Sequence, residues 1–148
     1  MSYKVRILDN KPFTVATMKM TIPDYSTDLA IRAVRTMKKE LESKGIKSLS
    51  PEYNFLVSYD SSNRLEVIDI EINVGVSSAG NDSEMIHFHD LPEVETLIRI
   101  EADDFEEIHI GLAEWMHDHD YVADGGLRTI IHEGSNFIYD CPVKPAED

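Results

Sequence analysis

Lys11-Pro12 … Met18-Lys19-Met20 … Asp24-Tyr25 returns, at a spacing of 80 residues, as Leu91-Pro92 … Ile98-Arg99-Ile100 … Asp104-Phe105. Each copy runs from a proline through alternating apolar residues to an Asp-aromatic pair, and an amphipathic helical pattern follows each pair. A turn and further strand pattern follow each helix. The predicted fold is therefore α+β, with duplicated β-α-β-β units that build a curved antiparallel sheet carrying two main helices. The repeats are expected at about 1–76 and 84–145 within a single domain spanning 1–148. A cleft between two related halves is the expected place for a ligand.

Outward from the first copy, Val5 and Ile7 signal a strand, and residues 13–22 alternate so that Ala16, Met18, Met20 and Ile22 share a face. Pro23-Asp24 turns the chain, and Ser26 or Thr27 caps a helix to about Ser43. Ala30, Val34, Met37 and Leu41 form its apolar stripe, and Gly45 stops it. Strands are predicted at 53–59 and 65–74, joined by Asp60-Ser61-Ser62-Asn63. The second of these sets Ile68, Ile70, Ile72 and Val74 against Asp69, Glu71 and Asn73 on the opposite face. Residues 77–83, with Gly80 and Asn81-Asp82, read as the connector between halves. In the second half, residues 85–89 and 94–101 are expected to pair around Leu91-Pro92. A helix runs from Asp103 or Asp104 to His117, with Phe105, Ile108, Leu112 and Trp115 on one stripe. After Gly125-Gly126, strands at 127–132 and 136–143 close the chain, and Pro145 opens a frayed tail.

With 148 residues and 42% hydrophobic content, the chain is long enough to bury a sizeable core as one domain. A net charge of −14, from 28 acidic against 14 basic residues, excludes nonspecific binding to nucleic acid through its phosphates. The lone Cys141 excludes an internal disulfide and a paired-cysteine metal site. Lys4, Arg6, Asp9 and Lys11 interrupt the first residues, so no signal-peptide core is present and no membrane span is expected. The expected location is the cytoplasm.

The order Phe105-Glu106-Glu107-Ile108 … Leu112-Ala113-Glu114-Trp115-Met116 … Tyr121 … Gly125-Gly126-Leu127-Arg128 … Pro142-Val143-Lys144 resembles the GyrI-like small-molecule-binding, or bacterial effector-binding, domain family. The resemblance covers essentially the whole chain. It implies a duplicated β-α-β-β fold with a pocket at the junction of the halves, which in many relatives holds hydrophobic or cationic molecules. Two departures bear on the ligand. Thr129 stands where relatives place a glutamate after the arginine, and the position of a second glutamate falls near Phe137 or Ile138. A buried carboxylate is costly unless paired, so its replacement by threonine and apolar residues points to a more neutral pocket. Regulators of the family carry a helix-turn-helix before this module. The helix at 27–43 is flanked by strands and has no such partner, so any regulatory role is expected to run through another protein.

His87-Phe88-His89 with Glu93 places two imidazoles on one side of a strand, a spacing open to a metal ion. Ile86 and Phe88 take the inward positions, which leaves His87 and His89 solvated, and solvated histidines are the reading adopted. His117 suits the negative end of a helix dipole. Trp115 lies on the apolar stripe, as a core or pocket-floor residue. Asp69 and Glu71 face water, or one of them lines the cleft and restores an acid to it. Tyr53, Phe55, Tyr59, Phe137 and Tyr139 lie on strands that border the pocket in relatives. Cys141 has no neighbouring base to activate it, and no catalytic triad or phosphate loop stands out.

The sequence thus points to a small-molecule-binding protein whose ligand is a neutral or cationic aromatic, with no catalytic residue, metal or cofactor implied. The expected ligand-binding residues are Tyr53, Phe55, Glu71, Trp115, Thr129, Ile131, Phe137 and Tyr139. Two alternatives stand beside it. One is a hydrolase of a reactive small molecule with Glu71, Glu93, Glu95, Glu101 or a histidine as base. The other is an acidic inhibitor of a protein partner such as gyrase. Either a monomer or a homodimer is compatible with the chain.

Overall fold

Alternation over residues 13–22 gives β2 (Phe13–Ile22) with the bounds its pattern predicts, in a computed structural model that describes residues 3–8, 13–23, 26–50, 52–59, 68–91 and 94–146. Lys11-Pro12, Asp24-Tyr25, Pro92-Glu93, the turn at 60–63, the strand start at 65–67 and the last two residues lie outside that set, as does the Tyr59 side chain. The elements run β1 (Tyr3–Leu8), β2, α1 (Thr27–Ser43), β3 (Asn54–Tyr59), β4 (Ile68–Val76), β5 (His87–Leu91), β6 (Thr96–Ala102), α2 (Phe105–His119), β7 (Tyr121–Ala123), β8 (Arg128–Ile130) and β9 (Phe137–Pro145). The fold class is α+β, as the sequence predicts, and the pairings within each unit described below are antiparallel.

The chain divides into two compact units, Pro12–Pro92 and a second made of Met1–Lys11 with Glu93–Asp148. In the first, the strands lie side by side in the order β5-β2-β4-β3. The Ser26 hydroxyl accepts the Leu29 N–H at 3.3 Å and starts α1, whose Ala30, Ala33, Val34, Met37 and Leu41 are buried. The helix ends in paired bonds, Gly45 N–H to Glu42 O at 3.0 Å and Ile46 N–H to Leu41 O at 2.9 Å. Gly45 sits at φ +74°, the left-handed conformation this ending requires. Ala16, Met18 and Ile22 on β2 and Ile70, Ile72 and Val74 on β4 are buried on one sheet face.

In the second unit the order is β1-β6-β9-β8, with β7 also on β9. Asp104 Oδ1 caps α2 by accepting the Glu106 N–H at 2.9 Å. Ile108 and Leu112 pack with Ile98, Ile100, Tyr139, Cys141 and Val143 into a buried cluster, and Trp115 is partly buried against it. Gly111 brings the helix close to the sheet, since a Cβ there would stand 2.5 Å from Ile100 Cδ1 and 2.8 Å from the Tyr3 ring.

The halves therefore match strand for strand, with the leading strands exchanged: β1 pairs with β6 of the second repeat, and β5 pairs with β2 of the first. This corrects the expected pairing of residues 85–89 with 94–101, because β5 takes the open edge of β2 and β6 lies between β1 and β9. Residues 77–83 accordingly join β4 to β5 inside the first unit. Two further differences concern ends. Phe105, expected on the buried stripe, is 46% exposed at the first turn of α2. Pro145, expected in a tail, closes β9, and the Ala146 N–H bonds Asp120 O at 2.9 Å.

Candidate functional site

Strand geometry sends alternate side chains to opposite faces, so each sheet has a second face, opposite the one that carries its buried aliphatic residues. In the first unit that face is set by the registers Val15↔His89, Thr17↔His87, Thr17↔Asn73, Lys19↔Glu71 and Phe55↔Asn73. One end is aromatic: Phe13 meets Tyr53 edge-on at 5.4 Å between ring centroids, and Tyr53 meets Phe55 at 5.2 Å. Phe55 is buried, whereas Phe13 and Tyr53 are half-buried. At the other end Lys19, Met20, Thr21, Asp69, Ile70 and Glu71 line a groove of about 560 Å³. Between the two ends lies a polar chain. Thr17 Oγ1 donates to Asn73 Oδ1 at 2.6 Å and stands 2.8 Å from His89 Nε2. Thr17 and Asn73 are each 3% exposed, while His89 is open to solvent.

The corresponding face of the second unit is built as a lock. Arg99 lies opposite Asp140 on β9, and its Nε and Nη2 donate to the two carboxylate oxygens at 2.7 and 3.0 Å. Asp140 is fully buried, and Arg128, buried as well, lies opposite it on the other side. The 80-residue repeat aligns Lys19 with Arg99, so both units set a cation on one strand against a carboxylate on the next. In the second unit the pair is sealed as a two-bonded ion pair. In the first, Lys19 is exposed and Glu71 half-buried at the groove.

The expected site residues fall into two groups, one in each unit. Tyr53, Phe55 and Glu71 share the second face of the first unit. In the second unit Phe137 and Tyr139 each lie 6.0 Å from Phe105, and Thr129 is opposite Tyr139. Tyr139 and Ile131 are buried. Trp115 stacks on His119 at 4.2 Å and meets Tyr121 at 5.2 Å, while His119 Nδ1 and Trp115 O are 2.9 Å apart. A groove of about 300 Å³ near Lys4, Glu101, Ala102, Asp103 and Asn136 accompanies this unit. Among the described residues no group of three metal-ligating side chains converges. His87 and His89 are exposed, as expected, but His87 bonds Asp82 and His89 bonds Thr17. Burial pushes the Cys141 thiol up, and the neighbouring Asp140 charge adds to it, which leaves that thiol unreactive.

Sequence reasoning missed Phe13, Thr17, Asn73, His89 and Lys19 as members of one constellation. The signal available was the repeat itself, which aligns Lys19 with Arg99, together with odd-numbered polar residues on two adjacent predicted strands.

No protein-family model and no curated protein matches the chain. Among solved structures, EcmrR in a complex with DNA aligns with TM-score 0.77 at 18% identity, over 97% of this chain and 58% of that one. The chain thus spans little more than half of that protein. The EcmrR C-terminal domain aligns with TM-score 0.77 at 19% identity, over 99% of this chain and 100% of the domain. A hydrolase from Listeria innocua aligns with TM-score 0.60 at 10% identity, over 96% and 91% of the two chains. At such identities the likeness is one of fold, and this chain has the α+β fold of the EcmrR C-terminal domain, the effector-binding fold that its sequence resembles.

Proposed function

We propose that this protein binds a small aromatic molecule, neutral or cationic, that its site in the first unit lies at Phe13, Tyr53 and Phe55, and that Glu71, at the groove on the other end of that face, is a second contact point for a cationic ligand. The aromatic trio carries the reading: Phe13 and Tyr53 are half-buried and packed ring against ring at the end of a face whose other end is lined by Glu71, Asp69 and Lys19. Aromatic walls with a few placed polar groups are the common composition of ligand sites. The carboxylates at the groove suit a cation. Within the second unit taken by itself, Trp115, Thr129, Ile131, Phe137 and Tyr139 are proposed as a separate set of ligand contacts, which Thr129 keeps uncharged. The likeness to EcmrR supports binding in the service of regulation.

The test is thermal unfolding across neutral aromatic, cationic amphiphilic and anionic compounds. A ligand at about a hundredfold excess over its dissociation constant adds about 2.7 kcal/mol to the native state. Stabilisation by aromatics that is lost in Tyr53→Ala supports the site, and no shift with any compound refutes the reading.

A second reading is supported by one observation, that Glu71 lines the groove half-buried, a setting that suits a carboxylate acting as general base. Glu95 is exposed, Glu101 lines the smaller groove, and Glu93 lies outside the described residues. With a hydrolase from Listeria innocua sharing the fold, hydrolysis of activated aryl esters is the activity to assay. Turnover that survives Glu71→Gln removes Glu71 from the chemistry.

A further inference from the structure

Three side chains on three adjacent strands form the chain His89–Thr17–Asn73, on β5, β2 and β4. A threonine hydroxyl has one proton to give. Thr17 gives it to Asn73 Oδ1 at 2.6 Å, so at the 2.8 Å contact with His89 the hydroxyl oxygen accepts and Nε2 carries the hydrogen. Burial enforces that both bonds are made, because Thr17 and Asn73 are each 3% exposed and an unmade bond there costs the full desolvation of the group, and the direction follows from Thr17 donating to Asn73 Oδ1. A neutral imidazole holds one hydrogen. With Nε2–H committed to Thr17, Nδ1 is left with its lone pair on a ring that is open to solvent.

The ring stands beside the aromatic trio. His89 lies opposite Val15, and Phe13 is the next residue on that face of β2. Such diagonal neighbours lie about 7–8 Å apart, within the width of a two-ring aromatic compound.

We infer that His89 Nδ1 is a hydrogen-bond acceptor held ready by Thr17 and Asn73, and that it selects aromatic ligands carrying an O–H or N–H donor. The inference rests on the small-molecule reading above and names the chemistry its ligand must carry. Asn73 and Thr17 are positioning residues, since they reach the ligand only through the imidazole. Glu71, two residues from Asn73 on the same face of β4, suits a cation, whereas the imidazole suits a neutral donor.

The first measurement is a long-range proton–nitrogen spectrum of the imidazoles in the intact chain and in Thr17→Val. The expected result is His89 with hydrogen on Nε2 and a bare Nδ1, and in Thr17→Val a mixture of both tautomers. Hydrogen on Nδ1 in the unaltered chain means that the relay runs from the Asn73 amide through Thr17 to Nε2, and it overturns the inference. The second measurement compares 2-naphthol with 2-methoxynaphthalene, which has the same rings without the donor. The naphthol is expected to bind about fivefold more tightly, the worth of one net hydrogen bond, and His89→Phe is expected to bind both alike. Equal binding of the two by the unaltered chain overturns the acceptor role while leaving the small-molecule reading intact. Binding of neither, alongside a featureless thermal panel, removes that reading and this inference with it.

Discussion

Replacing Asp140 by alanine takes from Arg99 an acceptor that receives two hydrogen bonds, at 2.7 and 3.0 Å, inside a site where the carboxylate is fully buried and the guanidinium side chain 19% exposed. The energetic consequence is dominated by what remains, since breaking a buried pair from one side leaves charge without its counterpart at a cost of about 3–5 kcal/mol. Arg128 deepens the effect, because it is buried at 6% exposure and lies opposite position 140 on β8. For a chain of this length, at about 2–4 °C per kcal/mol, the melting temperature falls by roughly 6–20 °C. Asp140→Asn keeps the shape and an acceptor oxygen but loses the charge, so it loses roughly half as much. The pair Arg99→Met with Asp140→Leu separates the two causes, because a buried ion pair exchanged for packed apolar groups is often neutral. Recovery here is partial, since Arg128 still faces the changed site. Urea unfolding followed by circular dichroism reads all three variants. A loss below about 1 kcal/mol for Asp140→Ala, or a double variant no more stable than the single one, refutes the lock.

Three other outcomes are expected. Gly111→Ala gains about 1 kcal/mol of helix propensity but sets a methyl 2.5 Å from Ile100 Cδ1 and 2.8 Å from the Tyr3 ring, so a net loss of about 1 kcal/mol is expected by denaturant titration; a net gain shows that α2 does not press on β1. Cys141, its thiol pushed up first by burial and then by Asp140, reacts with a disulfide reagent at mild alkaline pH far more slowly when folded than in denaturant, and equal rates contradict its burial. The Lys38 hydrogen bond holds the Glu52 carboxyl below its usual range. A carboxylate lowered by folding stabilises above its unfolded value, about pH 4.3, and loses that contribution as pH falls through the folded value. Lys38→Met therefore costs at most about 1 kcal/mol at neutral pH, both groups being largely exposed, and the difference closes on acidification; a gap that persists below pH 3, or roughly there, contradicts the linkage.

What could be read from the sequence follows the range of the interactions involved. β2 and α1 were legible because alternation and a serine cap act over a few residues, and both elements begin and end where those signals put them. The pairing of β5 was not. Leu91-Pro92 resembles a local turn between two strands, yet the edge that β5 takes belongs to β2, far back in the chain, and no local period encodes that choice. β7, three residues long, is too short for any period to show. Within the candidate site, Tyr53 and Phe55 could be named from their strand, but their partner Phe13 could not. Thr17, Asn73 and Asp140 defeat the pattern for a common reason. Polar residues alternating with apolar ones read as solvated, and these three are buried because each finds a partner on a neighbouring strand.

Duplication gives the two units the same scaffold, and the aligned pairs show how their chemistry parted. Arg99 and Asp140 face each other on β6 and β9 as Lys19 and Glu71 do on β2 and β4. Arginine makes a planar two-bonded match to a carboxylate, and a pair so matched can be buried and kept. Lysine is a strongly hydrated point charge on a flexible stem, which resists burial and leaves its carboxylate partner accessible. One exchange of cation therefore separates a unit whose cation–carboxylate pair is sealed from one in which Lys19 is exposed and Glu71 half-buried at a groove. A ligand exchanging contacts with water for contacts with protein needs a charge that is reachable yet not already satisfied by a rigid neighbour. On that argument the small-molecule reading proposed above is tested first in the first unit, with Glu71 at an open groove and His89 beside Phe13, while the buried ion pair of the second unit is tested through stability.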